Sequence, residues 1–234
     1  MSIESKVHQA QVDILHVLLF KPDAAFAELQ KASGLSSDHF TFHIKQLLEQ
    51  DLIAKNPKGH YHLTRKGKEF ANRFDTDART VERQPKVAVC LVIARDDGKE
   101  IVQQRLKQPY YGYWGRPTGK IRWGETIIAG AARELLEETG LTADLVFDSI
   151  YHKMDYNQKT GELLEDKIFF VVNGTHPRGE LIEAFEGGRN TWMTREEYAA
   201  QSLSFYTNDT FDNTAELPSI TIYEARHDYA PEHY

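Results

Sequence analysis

Three glutamates hold the most suggestive chemistry in this chain. Glu134, Glu137 and Glu138 stand at i, i+3 and i+4 in a segment whose spacing predicts an amphipathic helix. All three therefore project from one face. Like charges at that spacing repel by about 0.2–0.5 kcal/mol per pair. Glu137 and Glu138 also fall in the last turn before Gly140, a natural left-handed C-cap. The negative end of the helix dipole disfavours carboxylates there. Two readings are open. Either the face is a solvated acidic surface with Arg133 and Glu137 as an ordinary i, i+4 pair, or it holds a hard divalent cation. Mg2+ or Mn2+ prefers carboxylate oxygens and would remove both penalties.

The surrounding sequence has to position this helix. Residues 119–141, GKIRWGETIIAGAARELLEETGL, read as a loop, the helix and its glycine stop. Ahead of them, Lys86–Arg95 predicts a buried strand, Asp96–Asp97–Gly98 a turn and Glu100–Leu106 a returning strand. Behind them, Leu145–Tyr156 and Ile168–Asn173 predict strands joined by a turn near 157–161.

Gly119, Glu125, Arg133, Glu134, Leu135, Glu137, Glu138, Gly140 and Leu141 follow the pattern G-x5-E-x7-R-E-U-x-E-E-x-G-U, with U aliphatic. The stretch resembles the Nudix box, and every fixed position is filled. Asn190–Met193 and the helix predicted over Arg195–Ala200 resemble later elements of the same fold, so the resemblance covers about residues 86–205. It implies an α/β/α sandwich with a mixed β-sheet. It also implies metal-dependent hydrolysis of a nucleoside diphosphate linked to another moiety. Carried over by position, Glu137 and Glu138 are metal ligands, Glu134 is a ligand or the general base, and the Gly119 carbonyl completes the site. Arg133 orients a box carboxylate, and Glu125 holds the loop or joins the metal cluster through water. A further glutamate ligand from a later loop falls on Glu186, with Glu183 as second choice.

Two positions depart from the family pattern. Thr118 stands where a glycine is common, narrowing the backbone approach to phosphate, and Arg116 stands where an aliphatic residue is usual. Arg116 either binds a substrate phosphate or pairs with a carboxylate. Arg105 is a second candidate for phosphate, and Trp114 a candidate to stack on a base or to fill the core.

The first 74 residues read as a separate domain. Residues 3–20, 26–32 and a stretch after Ser36 predict helices, the last with Phe40, Ile44, Leu47 and Leu48 as its buried stripe. Gly34 sits in the turn between the second and third. Short strands at 52–55 and 60–63 flank the turn Asn56–Pro57–Lys58–Gly59, and Thr64 caps a further helix. The order resembles a winged helix-turn-helix domain, which makes the whole chain α+β. Exposed Ser37, Thr41, His43 and Lys45 on the third helix would enter the major groove of duplex DNA. Lys58, His60, Arg65, Lys66 and Lys68 would meet phosphate, whereas Asp38 would repel it; the alternative is a domain for dimerisation or protein contacts whose lysines are a solvated face. Residues 75–85 read as a linker. Residues 206–234 are a tail whose aromatic content argues for packing on the body or on a second copy, which makes a homodimer a candidate assembly.

Charge follows the same division. The chain's net charge is −7, of which residues 1–84 contribute +1 and residues 85–234 contribute −8. Residues 55–73 alone carry +5, suggesting different partners for the two halves. The single cysteine, Cys90, excludes an internal disulfide and a multi-cysteine zinc site. The longest apolar runs, Ile14–Phe20 and Val87–Ala94, are too short to span a bilayer, and the polar N-terminus lacks a signal sequence. The expectation is a cytoplasmic protein without a membrane partner. The main alternative to an enzyme is a regulator whose Nudix-like part senses a nucleotide such as ADP-ribose. Known regulators of that build usually place the Nudix part first, the reverse of the order here.

Overall fold

The computed structural model describes residues 8–75, 80–81 and 84–205. Among these the chain divides into two compact units at residues 83 and 84.

The first unit begins with α1 (Gln9–Phe20), α2 (Phe26–Ser33) and α3 (Ser37–Glu49). The His8 ring accepts from Ala10 N at 3.2 Å while Gln11 accepts from His8 N at 3.0 Å, a reciprocal cap that starts α1. Gly34, with φ +64°, ends α2. A hairpin follows, β1 (Ile53–Lys55) with β2 (Tyr61–Leu63), then α4 (Arg65–Ala71). Asn56 Oδ1 accepts from Lys58 N and His60 N, both at 3.0 Å, and so fixes the hairpin turn. Thr64 caps α4 through Gly67 N at 3.0 Å. Ile14, Leu15, Leu29, Phe40, Leu47 and Leu52 form the centre of one core. Part of the expected linker is ordered, since β3 (Phe74–Asp75) pairs with β4 (Thr80–Val81).

Two expectations for α3 need correction. His43 does not face solvent. It is 8% exposed and stacks on the His8 ring with centroids 4.6 Å apart. Residues 40, 43, 44 and 47 share one helix face, so position 43 joins the core stripe. Leu48, expected in that stripe, is instead 38% exposed. Thr41 and Lys45 do lie on the exposed side.

The second unit contains β5 (Lys86–Ile93), β6 (Glu100–Arg105), β7 (Trp114–Gly115), β8 (Thr118–Lys120), α5 (Ile127–Thr139), β9 (Leu141–Tyr156), β10 (Leu163–Gly179), β11 (Ala184–Phe185), β12 (Gly188–Met193) and α6 (Arg195–Ala199). One sheet has the order β8-β5-β10-β9, and β5 runs parallel to β10 within it while the other pairs are antiparallel. This is the expected mixed sheet. A second, antiparallel sheet has the order β11-β12-β6-β7.

Strand β5 is covered on both faces. Val89, Leu91 and Ile93 pack with Ala131 and Leu135 of α5, whereas Ala88 and Cys90 pack with Phe169. Fully burying a side chain such as Leu91 or Leu135 contributes about 1.5–3 kcal/mol. Burial pushes the Cys90 thiol up to about 12, so it stays protonated at neutral pH. Among the described residues no helix is long and apolar enough to cross a membrane. The tail at 206–234 lies outside the described residues.

Candidate active site

Helix α5 presents the three glutamates, and its ends follow from local chemistry. Thr126 Oγ1 accepts from Ala129 N at 3.3 Å at the start. Gly140, with φ +73°, supplies the left-handed cap at the end, its N–H donating to Leu136 O at 2.9 Å. Ile127, Ala131 and Leu135 bury the opposite stripe. The glutamates are thereby left at the edge of the core, above β8.

Arg133 organises the carboxylates. Its Nε and one terminal nitrogen reach both oxygens of Glu125 at 2.7 and 2.8 Å. The other terminal nitrogen donates to Glu134 at 2.7 Å and to Glu137 at 3.1 Å. A further bond to Lys120 O, at 2.9 Å, ties the fan to β8. Arg133 and Glu125 are 15% and 14% exposed, so this bidentate pair is shielded from much of the solvent. The Arg133 guanidinium, reinforced by Arg122 N at 2.9 Å, holds the Glu125 carboxyl down to about 2. Arg122 also reaches Glu137, at 3.0 and 3.1 Å.

Glu138 has a different environment. Its carboxylate accepts from Gln103 Nε2 at 3.0 Å. Burial pushes its pKa above the usual carboxylate range. The Gln103 bond opposes that shift, and the charge of Glu134 adds to it. Glu134 lies directly against the backbone of Gly119. A methyl group built on Gly119 would overlap the Cγ, Cδ and Oε2 atoms of Glu134. Glycine is therefore required at 119 for close approach.

The remaining expected residues are dispersed. Glu186 is exposed in the turn between β11 and β12, and Glu183 is exposed just before it, its carbonyl accepting from Asn190 N at 2.8 Å. Arg116 is buried and donates to Glu100 at 2.9 Å, so its guanidinium is engaged by a carboxylate. Arg105 donates to Pro109 O at 2.6 Å and Gln108 O at 3.2 Å. Trp114 is 8% exposed in a core cluster with Val102 and Tyr198, and Arg189 stacks over its ring at 5.2 Å. Thr118 pairs with Cys90 across β8 and β5.

Sequence reasoning missed Gln103, Asn190 and Arg122. Asn190, 5% exposed, donates from one amide nitrogen to Glu138 O at 2.8 Å and Ile182 O at 2.7 Å. Its own oxygen lies 3.3 Å from Gln103 Nε2. A polar residue at an inward strand position was the available signal. Asn190→Ala orphans both carbonyls, and we expect a loss of about 1–3 kcal/mol. A lowered urea midpoint at unchanged slope checks it.

Among the described residues no three His, Cys, Asp or Glu side chains converge as a ready cation site. The physical reason is visible: Arg133 and Arg122 hold Glu134 and Glu137, and Gln103 holds Glu138. The donor type nevertheless fits a hard divalent cation, because three carboxylates share one helix face and one lies against an open glycine backbone.

Comparison with known proteins falls on these same elements. The family signature described as "NUDIX domain" matches residues 84–211. "Nudix hydrolase 7" of Arabidopsis thaliana is 32% identical over 126 residues, covering 49% of this chain and 40% of that protein. "Oxidized purine nucleoside triphosphate hydrolase" of Danio rerio is 35% identical over 83 residues, covering 36% and 53%. The chain thus spans about half the length, or less, of these relatives. A crystal structure of a MutT NUDIX hydrolase from Burkholderia pseudomallei superposes with a TM-score of 0.46 at 25% identity, covering 53% of this chain and 94% of that one. The signature takes in more than half of the chain, including the loop, helix and strands that assemble around Arg133, and the chain therefore belongs to the Nudix family.

Proposed function

We propose that the second unit is a divalent-metal-dependent pyrophosphohydrolase acting on a nucleoside diphosphate linked to another moiety. The observation that carries this reading is the set of three carboxylates, Glu134, Glu137 and Glu138, on one face of α5, with Glu134 lying against the Gly119 backbone. Glu134, Glu137 and Glu138, with the backbone at Gly119, would hold Mg2+ or Mn2+, which supplies charge neutralisation at phosphate oxygens and lowers the pKa of water. The chain's own residues orient and hold. Arg133 keeps Glu134 against Gly119, where that carboxylate would serve either as a metal ligand or as the base for water. Gln103 fixes the rotamer of Glu138, and Asn190 anchors Gln103 and the Glu138 carbonyl. Glu125 takes no direct part, because both its oxygens are committed to Arg133.

The test is incubation of the full chain with Mg2+ or Mn2+ and a panel of nucleotides, alongside Glu137→Gln. Exchanging one charged contact for a neutral one should lower turnover about tenfold or more. An unaffected variant, or a wild-type chain inert on the whole panel, sinks the enzyme reading and favours nucleotide sensing.

For the first unit we propose a winged helix-turn-helix that binds duplex DNA. Support comes from the order α2, Gly34 turn, α3, then the β1–β2 hairpin, with Thr41, Lys45, Lys58 and Arg65 exposed. Arg65 is 81% exposed and spans to Glu69 at 3.2 Å, and Lys45 lies 3.8 Å from Glu49, so each exchanges only a weak surface pair for phosphate. Lys58→Ala or Arg65→Ala should reduce the slope of log affinity against log salt by about 1 each. No binding to any duplex at low salt removes the claim.

A further inference from the structure

Strands β9 and β10 bring two lysines face to face. Lys153 and Lys167 are directly opposite in the antiparallel register. Like charges in that position destabilise a sheet, and long ammonium side chains normally keep their heads in water. These two do not: their side chains are only 12% and 25% exposed. Both line a concavity that Gln103, Arg105, Thr118 and Phe205 also line. Its cavity volume is about 50 Å³.

The internal counter-charges of these cations are shared with other groups. Lys153 pairs with Asp155, which also accepts from Tyr110 at 2.9 Å. Lys167 lies 3.3 Å from Glu165, but Glu165 is shared with Lys86 at 2.8 Å. Lys86 is half-exposed and does not line the concavity, so Lys153 and Lys167 each keep one carboxylate partner, the second of them shared. Burial pulls Lys167 below the ordinary lysine range, and Lys153 and Lys86 add to that against the pull of Glu165. The other cations on the wall are engaged elsewhere, Arg105 with the carbonyls of Pro109 and Gln108, and Arg116 with Glu100. Aromatic faces complete the setting: Lys153 Nζ lies 5.3 Å from the Phe205 ring centre and 5.7 Å from that of Tyr110, and Lys167 Nζ lies 5.9 Å from Tyr110. The concavity adjoins the carboxylate helix. Gln103 lines it and donates to Glu138, and Thr118 lines it one residue before Gly119.

We propose that Lys153 and Lys167 form an oxyanion subsite, which takes a phosphate or carboxylate carried by the substrate away from the diphosphate that is cut. The inference rests on the hydrolase reading only for the molecule that carries the oxyanion. An anion placed between the lysines removes their cross-strand repulsion. Substrates with such a group are selected over those without it.

The experiment is calorimetric titration of the full chain, without metal, with inorganic phosphate and separately with acetate. Saturable binding of at least one is expected, weakened about tenfold or more in Lys153→Met and Lys167→Met and retained in Lys153→Arg and Lys167→Arg. Phosphate preference or acetate preference identifies the group. No saturable binding of either anion, or equal binding in both Met variants, overturns the proposal. Failure of the Arg variants to bind also overturns it when their urea midpoints match wild type. With Mg2+, Lys167→Met should raise KM about tenfold for a nucleotide substrate bearing an additional phosphate monoester, while its unphosphorylated counterpart changes less than about twofold. A chain that binds phosphate here yet hydrolyses nothing overturns the enzyme reading only. One that hydrolyses nucleotides without binding either anion overturns this inference only.

Discussion

Turnover in Gly119→Ala is expected to fall about 100-fold or more, the effect of misplacing a reacting group by about 1 Å. The alanine methyl would occupy the volume of the Glu134 carboxyl group. Of the two parties, β8 yields less cheaply, because Glu134 offers only the end of a flexible side chain. Strand β8 is held by pairing with β5 at Ala88, Val89 and Cys90, and Glu134 is held by Arg133 at 2.7 Å. Either Glu134 leaves the site or β8 parts from β5. The two outcomes separate experimentally. If Glu134 moves, kcat drops while the urea midpoint changes little; if β8 moves, both fall. Wild-type turnover in a fully folded Gly119→Ala chain would show that Glu134 need not lie against this backbone.

Arg133→Met is expected to lower kcat/KM about 10- to 100-fold, the range for removing a group that orients ligands. Methionine retains much of the apolar stem and deletes every bond in the fan. Glu125, Glu134 and Glu137 then lose their shared cation, and Glu134 and Glu137 again repel across one helix turn. The substitution also has a pH signature. Glu125 is depressed in the folded chain, so its contribution to stability is complete above the ordinary carboxylate value of 4.5. It disappears as pH falls through about 2. In Arg133→Met that depression should largely vanish, since Arg133 is its principal cause. Carboxyl-carbon NMR titration reads this directly. A Glu125 that still titrates near 2 in the variant would assign the effect to the Arg122 backbone bond instead.

Much of this site is legible in the chain because its parts are near one another in sequence. The carboxylates, their arginine, both caps and Gly119 fall within one stretch of loop and helix, where fixed spacing becomes fixed geometry. Gln103 and Asn190 were not legible. They reach Glu138 from strands 35 and 52 residues away, and only pairing of β6 with β12 brings them together. Short strands were lost for another reason: β7, β8 and β11 have two or three residues each, too few to show alternation. Strand β9 starts at Leu141, immediately after the helix cap, four residues earlier than its apolar pattern suggests. At His43 the helical spacing carried the right message and the residue type obscured it. Histidine reads as a surface group, yet its position repeats the Phe40–Ile44–Leu47 stripe.

The parallel pairing of β5 with β10 also has a consequence for the order of folding. Lys86 lies opposite Lys167, so the strand beneath the box helix cannot acquire this neighbour until a segment of some 80 residues has been looped back. Helix α5 has its own start and stop signals and can form locally, but its seat depends on distant chain. During refolding, helical signal should therefore precede the ability to bind substrate. A fragment ending soon after Gly140 would contain every residue of the box yet lack the strand against which β5 is ordered.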